Sequence, residues 1–332
     1  VYIGNKLKTE RSNLSTIHTL GTLLETEGYR LTYASSRVNK AYRLLDMIFT
    51  FLKHIKTVDK VIIDVYSTHN FYFALVISQM CRVFNLPYIT NLNGGNLPMR
   101  LKAHPRKSGL IFNHALFNVA PSKYLKDTFE SYGYGRLIYI PNSIEIDKYP
   151  YLKKTFDIPK LLWVRSFSKI YNPLLAVKVL KSLKTRGLDA SLCMVGPDSD
   201  GTLQDVQDLA TELQVNVTFT GKLSKPEWIA LSKNYNVFIN TTRIDNTPVS
   251  VIEAMALGLP IVSTNVGGMP YLIEHNKHGL LVDSDDVEAM VDAILQVFEN
   301  PEQRELMIGH ARQLAETFDW GLVKKAWGEV LG

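Results

Sequence analysis

The densest grouping of chemically capable residues lies between Ile239 and Asp285, INTTRIDNTPVSVIEAMALGLPIVSTNVGGMPYLIEHNKHGLLVDSD. The run Val237–Asn240 reads as a strand, and the polar stretch Thr241–Thr247 after it reads as a loop. Pro248 suits the first position of a helix, because its φ is already helical, and Thr247 suits the N-cap. The leading N–H groups of such a helix, those of Val249 and Ser250 among them, have no acceptor within it. They suit a phosphate or diphosphate. Asp245 stands on the loop and Glu253 inside the helix. An ionised Glu253 can accept two hydrogen bonds from a ribose diol. The plainer alternative makes Glu253 a solvated helix charge and Asp245 a turn former.

Such a loop must be held by a sheet, and the chain supplies strands throughout. Val1–Gly4, Leu31–Ala34, Val61–Asp64, Pro87–Asn91, Asn118–Pro121 and Leu137–Ile140 read as strands in the first half, separated by amphipathic stretches such as Leu14–Glu27, Ser36–Ile55 and Asn70–Phe84. The rhythm breaks at Ile140-Pro141-Asn142-Ser143, followed by Tyr149-Pro150-Tyr151, and then restarts. Leu161–Val164, Ser191–Val195, Val217–Thr220, Val237–Asn240 and Pro260–Thr264 are the second set. Alternation of this kind predicts an α/β protein with two doubly wound, Rossmann-like domains and ligands at the carboxyl ends of the strands, in a cleft. Neither a G-x-G-x-x-G fingerprint after Val1–Gly4 or Leu161–Val164 nor a P-loop occurs, which argues against a dinucleotide oxidoreductase and a P-loop NTPase.

Length and composition agree. The 332 residues, 46% hydrophobic and 21% charged, suffice for two domains with ordinary cores. Cys81 and Cys193 lack metal or redox spacing and read as buried thiols. No apolar run is long enough to span a bilayer. The opening VYIGNKLK reads as a strand entering a turn, not a leader, and its missing initiator methionine suggests trimming. A cytosolic location is the expectation. The net charge of +5 is uneven: residues 1–150 carry 19 Lys and Arg against 10 Asp and Glu, and the rest 18 against 22. A basic first half points to an anionic partner.

The segment Asp245–Asp285 resembles the signature of the retaining nucleotide-sugar glycosyltransferases of family four, which have a GT-B fold. The matching residues are Glu253-Ala254-Met255-Ala256, Gly258, Pro260-Ile261-Val262, Gly267-Gly268, Glu274 and Gly279-Leu280-Leu281-Val282. Ile140-Pro141-Asn142-Ser143 resembles the family's interdomain segment, Val119-Ala120-Pro121-Ser122 the strand end before it, and Val195-Gly196-Pro197 and Phe219-Thr220-Gly221-Lys222 two turns of its second domain. The resemblance implies an N-terminal acceptor domain over residues 1–145, a donor domain over 146–317, and a last helix, 318–332, that crosses back.

It also implies roles. Gly221 and Lys222 would lie near the nucleobase, Glu253 would hold the ribose, Asp245 would touch the transferred sugar, and Arg165 and Lys169 would meet the diphosphate. Gly4, Gly94 and Gly95, with Thr247, Pro248, Val249 and Ser250, complete the implied donor contacts. The reaction so implied is a front-face substitution with retention, in which the departing diphosphate helps deprotonate the acceptor. Cations and a helix N-terminus preorganised around that diphosphate stabilise its growing charge, at about 3–4 kcal/mol for one such interaction in other enzymes. No metal or other cofactor is then expected, and the strings Asp198-Ser199-Asp200 and Asp283-Ser284-Asp285 read as turn and cap residues.

Three positions depart from the family pattern. Asp245 stands where the family has a glutamate, one methylene longer. Asn93, at the end of Pro87–Asn96, stands where the family has a histidine, and an amide cannot carry a proton near neutral pH. Val164 replaces a glycine, and Arg165 and Lys169 are closer together than usual. Asn93 reads as a variant in a working enzyme, with lost activity or a shifted alignment as alternatives. The remaining histidines, among them His69, His104, His114, His275 and His278, read as core or surface residues.

In the first half, Ser36–Lys60 interleaves Arg37, Lys40, Arg43, Lys53 and Lys56 with apolar residues, and Met99–Gly109 reads as a basic loop. The apolar positions of the helix are expected to face the core. A glycan or lipid-linked acceptor, handled at an anionic inner membrane face, fits this charge. Nucleic acid does not, since no recognition motif or solvent-facing aromatic pattern accompanies it. The competing readings are a GT-B nucleotide-sugar epimerase and a non-catalytic nucleotide-sugar or glycan-binding protein.

Overall fold

A computed structural model of the chain describes residues 1–7 and 15–332. The described residues divide into two compact units. The first runs to Asn142 and takes in Val323–Gly332, while the second runs from Ser143 to Leu322.

The first unit has a six-stranded sheet of β1 (Tyr2–Ile3), β2 (Tyr33–Ala34), β3 (Val61–Val65), β4 (Tyr88–Leu92), β5 (Phe117–Ala120) and β6 (Leu137–Tyr139). Their order is β2-β1-β3-β4-β5-β6, with every pairing parallel. β3 and β4 are buried along their whole length, in keeping with the Val and Ile of β3 and the Tyr88, Ile89 and Leu92 of β4, while Asp64, Thr90 and Asn91 are buried polar residues within them. The order reverses between β1 and β3, so their carboxyl ends open a crevice.

The second unit repeats the plan with β7 (Lys160–Val164), β8 (Ser191–Val195), β9 (Val217–Gly221), β10 (Val237–Asn240), β11 (Ile261–Thr264) and β12 (Leu280–Val282). Read from β9, the order is β9-β8-β7-β10-β11-β12, again parallel throughout, and its reversal lies between β7 and β10. One core, including Trp163, Leu180, Met194, Val237 and Ile294, fills one face of this sheet. Another, with Leu162, Phe238, Ile252 and Met255, fills the other.

Three expectations need correction. β12 was missing from the expected strands, because three residues are too short for a period. Met99–Gly109 is not a loop: it falls within helices Leu97–Ala103 and Pro105–Phe112, each with a proline in its first turn, where the absent N–H costs nothing. The helix expected over Ser36–Ile55 spans Lys40–His54, and only one of its faces is inward: Arg43, Met47 and Phe51 are buried, whereas Tyr42, Leu45, Phe49 and Leu52 are exposed. Cys81 and Cys193 are free and buried, as their spacing predicted.

Candidate functional site

In the second unit the site forms at the reversal of strand order. β7 hands over to Arg165, and β10 hands over to the loop that carries Asp245. The two side chains meet. The Arg165 guanidinium donates to and ion-pairs with the Asp245 carboxylate, each side chain only 12% exposed. The guanidinium also lies over the Tyr171 ring, 4.0 Å from its centroid. Burial pushes the Asp245 carboxyl above the usual carboxylate range, and the charge of Arg165 and the N–H of Asn246 offset this only in part. Among the described residues, Arg165 Nε is buried without a hydrogen-bond partner.

The loop is held by glycines. Gly268 donates its N–H to the Asp245 carbonyl at 3.0 Å. A methyl group at Gly268 would overlap the carbonyl oxygen of Asn246, and one at Gly267, whose φ is +55°, would overlap that of Asp245. Gly196, at φ +152°, lies just as close to the carbonyl of Arg165. The two charged residues are therefore clamped from beneath by backbone.

The helix after the loop is Val249–Ala256. Pro248, expected at its first position, is instead the N-cap: its ψ of 118° lies outside the helix, and its carbonyl accepts the Val251 N–H at 3.1 Å. Thr247 thus stands one residue before the cap. Val249 and Ser250 are the first helical residues, and their N–H groups belong to the unpaired first turn. Ser250 Oγ is buried with no hydrogen-bond partner among the described residues.

Glu253 is not a solvated charge. It is 2% exposed. Its Oε1 accepts the Tyr149 hydroxyl at 2.7 Å and pairs with the Lys225 ammonium. Burial, and next the Glu253 charge, push the Tyr149 phenol well above its usual range. Tyr149 and Lys225 escaped sequence reasoning: Tyr149 entered it only as part of the linker, and Lys225, which opens helix Lys225–Leu231, did not enter it.

Gly221 closes β9 at φ +69°, its carbonyl accepting from Gly196 N–H at 2.9 Å, and Lys222 beside it is exposed. Lys169 is also exposed. It opens the short turn Lys169–Tyr171 and donates its backbone N–H to Asp200 at 3.1 Å. Among the described residues no contact joins its ammonium to the Arg165–Asp245 pair. Asp200 also accepts from Ser168 and Thr202, Asp198 accepts from the Gly201 N–H, and Asp285 is bound by Arg243 and Asn172. These aspartates serve as turn and anchor groups. Among the described residues no group of three His, Cys, Asp or Glu could hold a metal ion.

In the first unit a separate polar cluster lies at the reversal between β1 and β3. Asn93 donates through Nδ2 to Asp64 Oδ1 at 2.8 Å and accepts the Thr16 hydroxyl on Oδ1 at 2.8 Å. Asp64 Oδ1 also accepts from the Tyr2 hydroxyl and from Asn91 Nδ2, both at 3.0 Å. Burial pushes the Asp64 carboxyl up to about 7 in spite of these donors. Gly4 packs against Asp64, where a methyl group would lie 2.6 Å from Oδ2, and Gly94 and Gly95 follow Asn93 in the turn before helix Leu97–Ala103. Sequence reasoning placed Asp64 only as a strand end. Its role as the hub emerges from pairings 62 and 27 residues apart.

Comparison with known proteins agrees with this architecture. The family described as glycosyl transferases group 1 matches residues 152–314. A GDP-mannose-dependent alpha-(1-6)-phosphatidylinositol monomannoside mannosyltransferase of Mycobacterium tuberculosis is 30% identical over 153 residues, 43% of this chain and 39% of that protein. The chain spans less than half the length of such curated relatives. Among solved structures, sucrose-phosphate synthase from Thermosynechococcus elongatus superposes with a TM-score of 0.83 at 15% identity, covering 99% of this chain and 97% of that one. HepE of Anabaena in complex with UDP-glucose gives a TM-score of 0.77 at 15% identity, covering 94% and 88%. The fold is that of the GT-B glycosyltransferases, and within it residues 152–314 are similar to the glycosyl transferases group 1 family.

Proposed function

We propose that this protein transfers a sugar from a nucleotide diphosphate sugar to a glycan or lipid-linked acceptor, with retention at the anomeric carbon, as in family four. One observation carries the reading: in the second unit, a largely buried Arg165–Asp245 pair and a buried Ser250 Oγ without a partner among the described residues accompany a helix N-terminus at the strand reversal. Buried polar atoms are rarely left without partners, and each such orphan costs about 1–3 kcal/mol. A diphosphate would supply acceptors for Ser250 and Arg165 Nε together. The buried Glu253 would accept the ribose hydroxyls, with Tyr149 and Lys225 fixing its carboxylate. In the transfer, the bond from the anomeric carbon to the diphosphate oxygen breaks. A bond to the acceptor oxygen forms on the same face, and the acceptor proton passes to the departing diphosphate. No metal is required, since Arg165 and the helix terminus meet the developing charge. HepE, in complex with UDP-glucose, is a structural neighbour in keeping with such a donor.

A second reading, a nucleotide-sugar-binding protein without turnover, draws on Asn93. Both ends of its amide are engaged by Asp64 and Thr16, and it carries no titratable proton.

Thermal shift against UDP, GDP, ADP and their sugars is the direct test, because selective binding to the folded state raises the melting temperature. One nucleotide series is expected to stand out. Glu253→Gln should weaken that ligand about ten- to hundredfold, the worth of about 1.5–3 kcal/mol for hydrogen bonds to a charged group. Absence of any nucleotide shift would remove the donor reading. Binding without transfer or donor hydrolysis would favour the second.

A further inference from the structure

Helix Lys40–His54 has two opposite apolar faces. Met47 and Phe51 enter the core of the first unit, with Leu44 and Ile48 packed beside them. On the other side Tyr42, Leu45, Phe49 and Leu52 follow at spacings of three, four and three, which stacks them along one arc of the helix. They are 45–67% exposed, and Val38, just before the helix, is 71% exposed. Contiguous exposure of this kind marks an interaction surface.

The face is presented rigidly. Asn39 caps the helix by accepting from the N–H groups of Ala41 and Tyr42 at 2.9 and 3.2 Å. Buried Arg43 ties the preceding turn through the carbonyls of Arg37 and Val38, both at 2.7 Å. Its surroundings are mainly cationic. Arg37, Lys40, Lys53 and Lys56 are exposed, against Asp46 on the helix, whose carboxylate accepts from the Ser35 hydroxyl, and the exposed Asp59 beyond it.

We propose that this face docks on the surface of an anionic lipid bilayer, with Leu45 and Phe49 at the headgroup boundary and the cations against lipid phosphates. An apolar stripe framed by cations is the pattern of an interfacial helix. A second copy related by a two-fold axis would set the same cations against each other, which disfavours self-association. The proposal rests on the sugar-transfer reading only for its purpose, which is to hold the protein beside a membrane-borne acceptor.

The test uses the full chain and sedimentation with vesicles of phosphatidylglycerol and phosphatidylcholine, or of phosphatidylcholine alone. Two double variants accompany it, Leu45→Ser with Phe49→Ser and Lys53→Gln with Lys56→Gln. The unaltered protein is expected to sediment with the anionic vesicles at low salt. Partition should fall about tenfold or more in either double variant and on neutral vesicles, at unchanged melting temperature. No partition at low salt overturns the proposal, as does equal partition of the serine variant. Concentration-dependent dimerisation abolished by the serine pair would also overturn it, by showing a second copy on the face. Nucleotide-induced thermal shift on the same samples separates the two readings: vesicle binding without that shift sinks the donor site alone, and the reverse sinks the docking face alone.

Discussion

A carboxyl group such as Asp64, walled off from water and surrounded by neutral donors, keeps its proton to an unusually high pH. Its Oδ1 takes hydrogen bonds from Tyr2, Asn91 and Asn93, but burial dominates and the folded pKa lies at about 7, against 3.8 for the free group. The folded state therefore holds this proton where the unfolded state has released it. The stabilisation it contributes is complete below about pH 4 and is lost as pH rises to 7. Asp64→Asn, which keeps an acceptor oxygen but cannot ionise, should flatten the fall in melting temperature over that interval. An unchanged pH profile would show that Asp64 does not titrate there. Residues of this kind were the least legible in the sequence. Asp245 and Glu253 could be picked out from their places on the loop and helix that follow β10, and Arg165 from its resemblance to a family residue that meets the diphosphate. Asp64, Tyr149 and Lys225 acquire their roles from partners distant in sequence, for which no local period exists.

At the scale of elements, the loop Thr241–Pro248 depends on a pair of glycines well outside it. Gly267 and Gly268 follow β11, and a side chain on either would strike the carbonyls of Asp245 and Asn246. Gly268→Ala is predicted to cost about 1–3 kcal/mol, the usual penalty for overpacking, read as a lower melting temperature. It should also weaken nucleotide binding, because the loop must lift before the methyl fits. A neutral effect on both would mean that the loop has slack. The sheets themselves were readable, since strands buried on both faces are rich in apolar and β-branched residues, as in Val61–Ile63 of β3, Leu192–Val195 of β8 and Val237–Ile239 of β10. β12 and the helices Leu97–Ala103 and Pro105–Phe112 were not, because three to eight residues carry too little pattern and their prolines imitate a loop. The outward face of Lys40–His54 was hidden for another reason: apolar residues on both sides blur the helical period that would separate them.

For the whole molecule, the two strand reversals locate two polar clusters, one around Asp64 and one around Arg165 and Asp245, each within its own unit. Helix Trp320–Leu331 begins in the second unit and continues into the first. There Trp327 and Val330 are buried, Lys324 pairs with Glu27 at 3.1 Å, and Lys60 donates to the Leu331 carbonyl. The first unit is therefore discontinuous, while residues 143–322 form one uninterrupted stretch of the second. A fragment of residues 143–322 should fold alone, with a cooperative melt and nucleotide binding like that of the full chain. Residues 1–142 should melt lower, and a peptide of residues 320–332 should restore part of the difference. If residues 1–142 proved as stable alone, the last helix would be dispensable to that unit.

That discontinuity sets an order of events on the ribosome. Residues 1–142 leave the exit tunnel before residues 143–322, yet the first unit lacks Trp327, Val330 and Lys324 until the whole of the second has been made. The second unit has all its strands beforehand, so of the two units the one begun first is the one completed last.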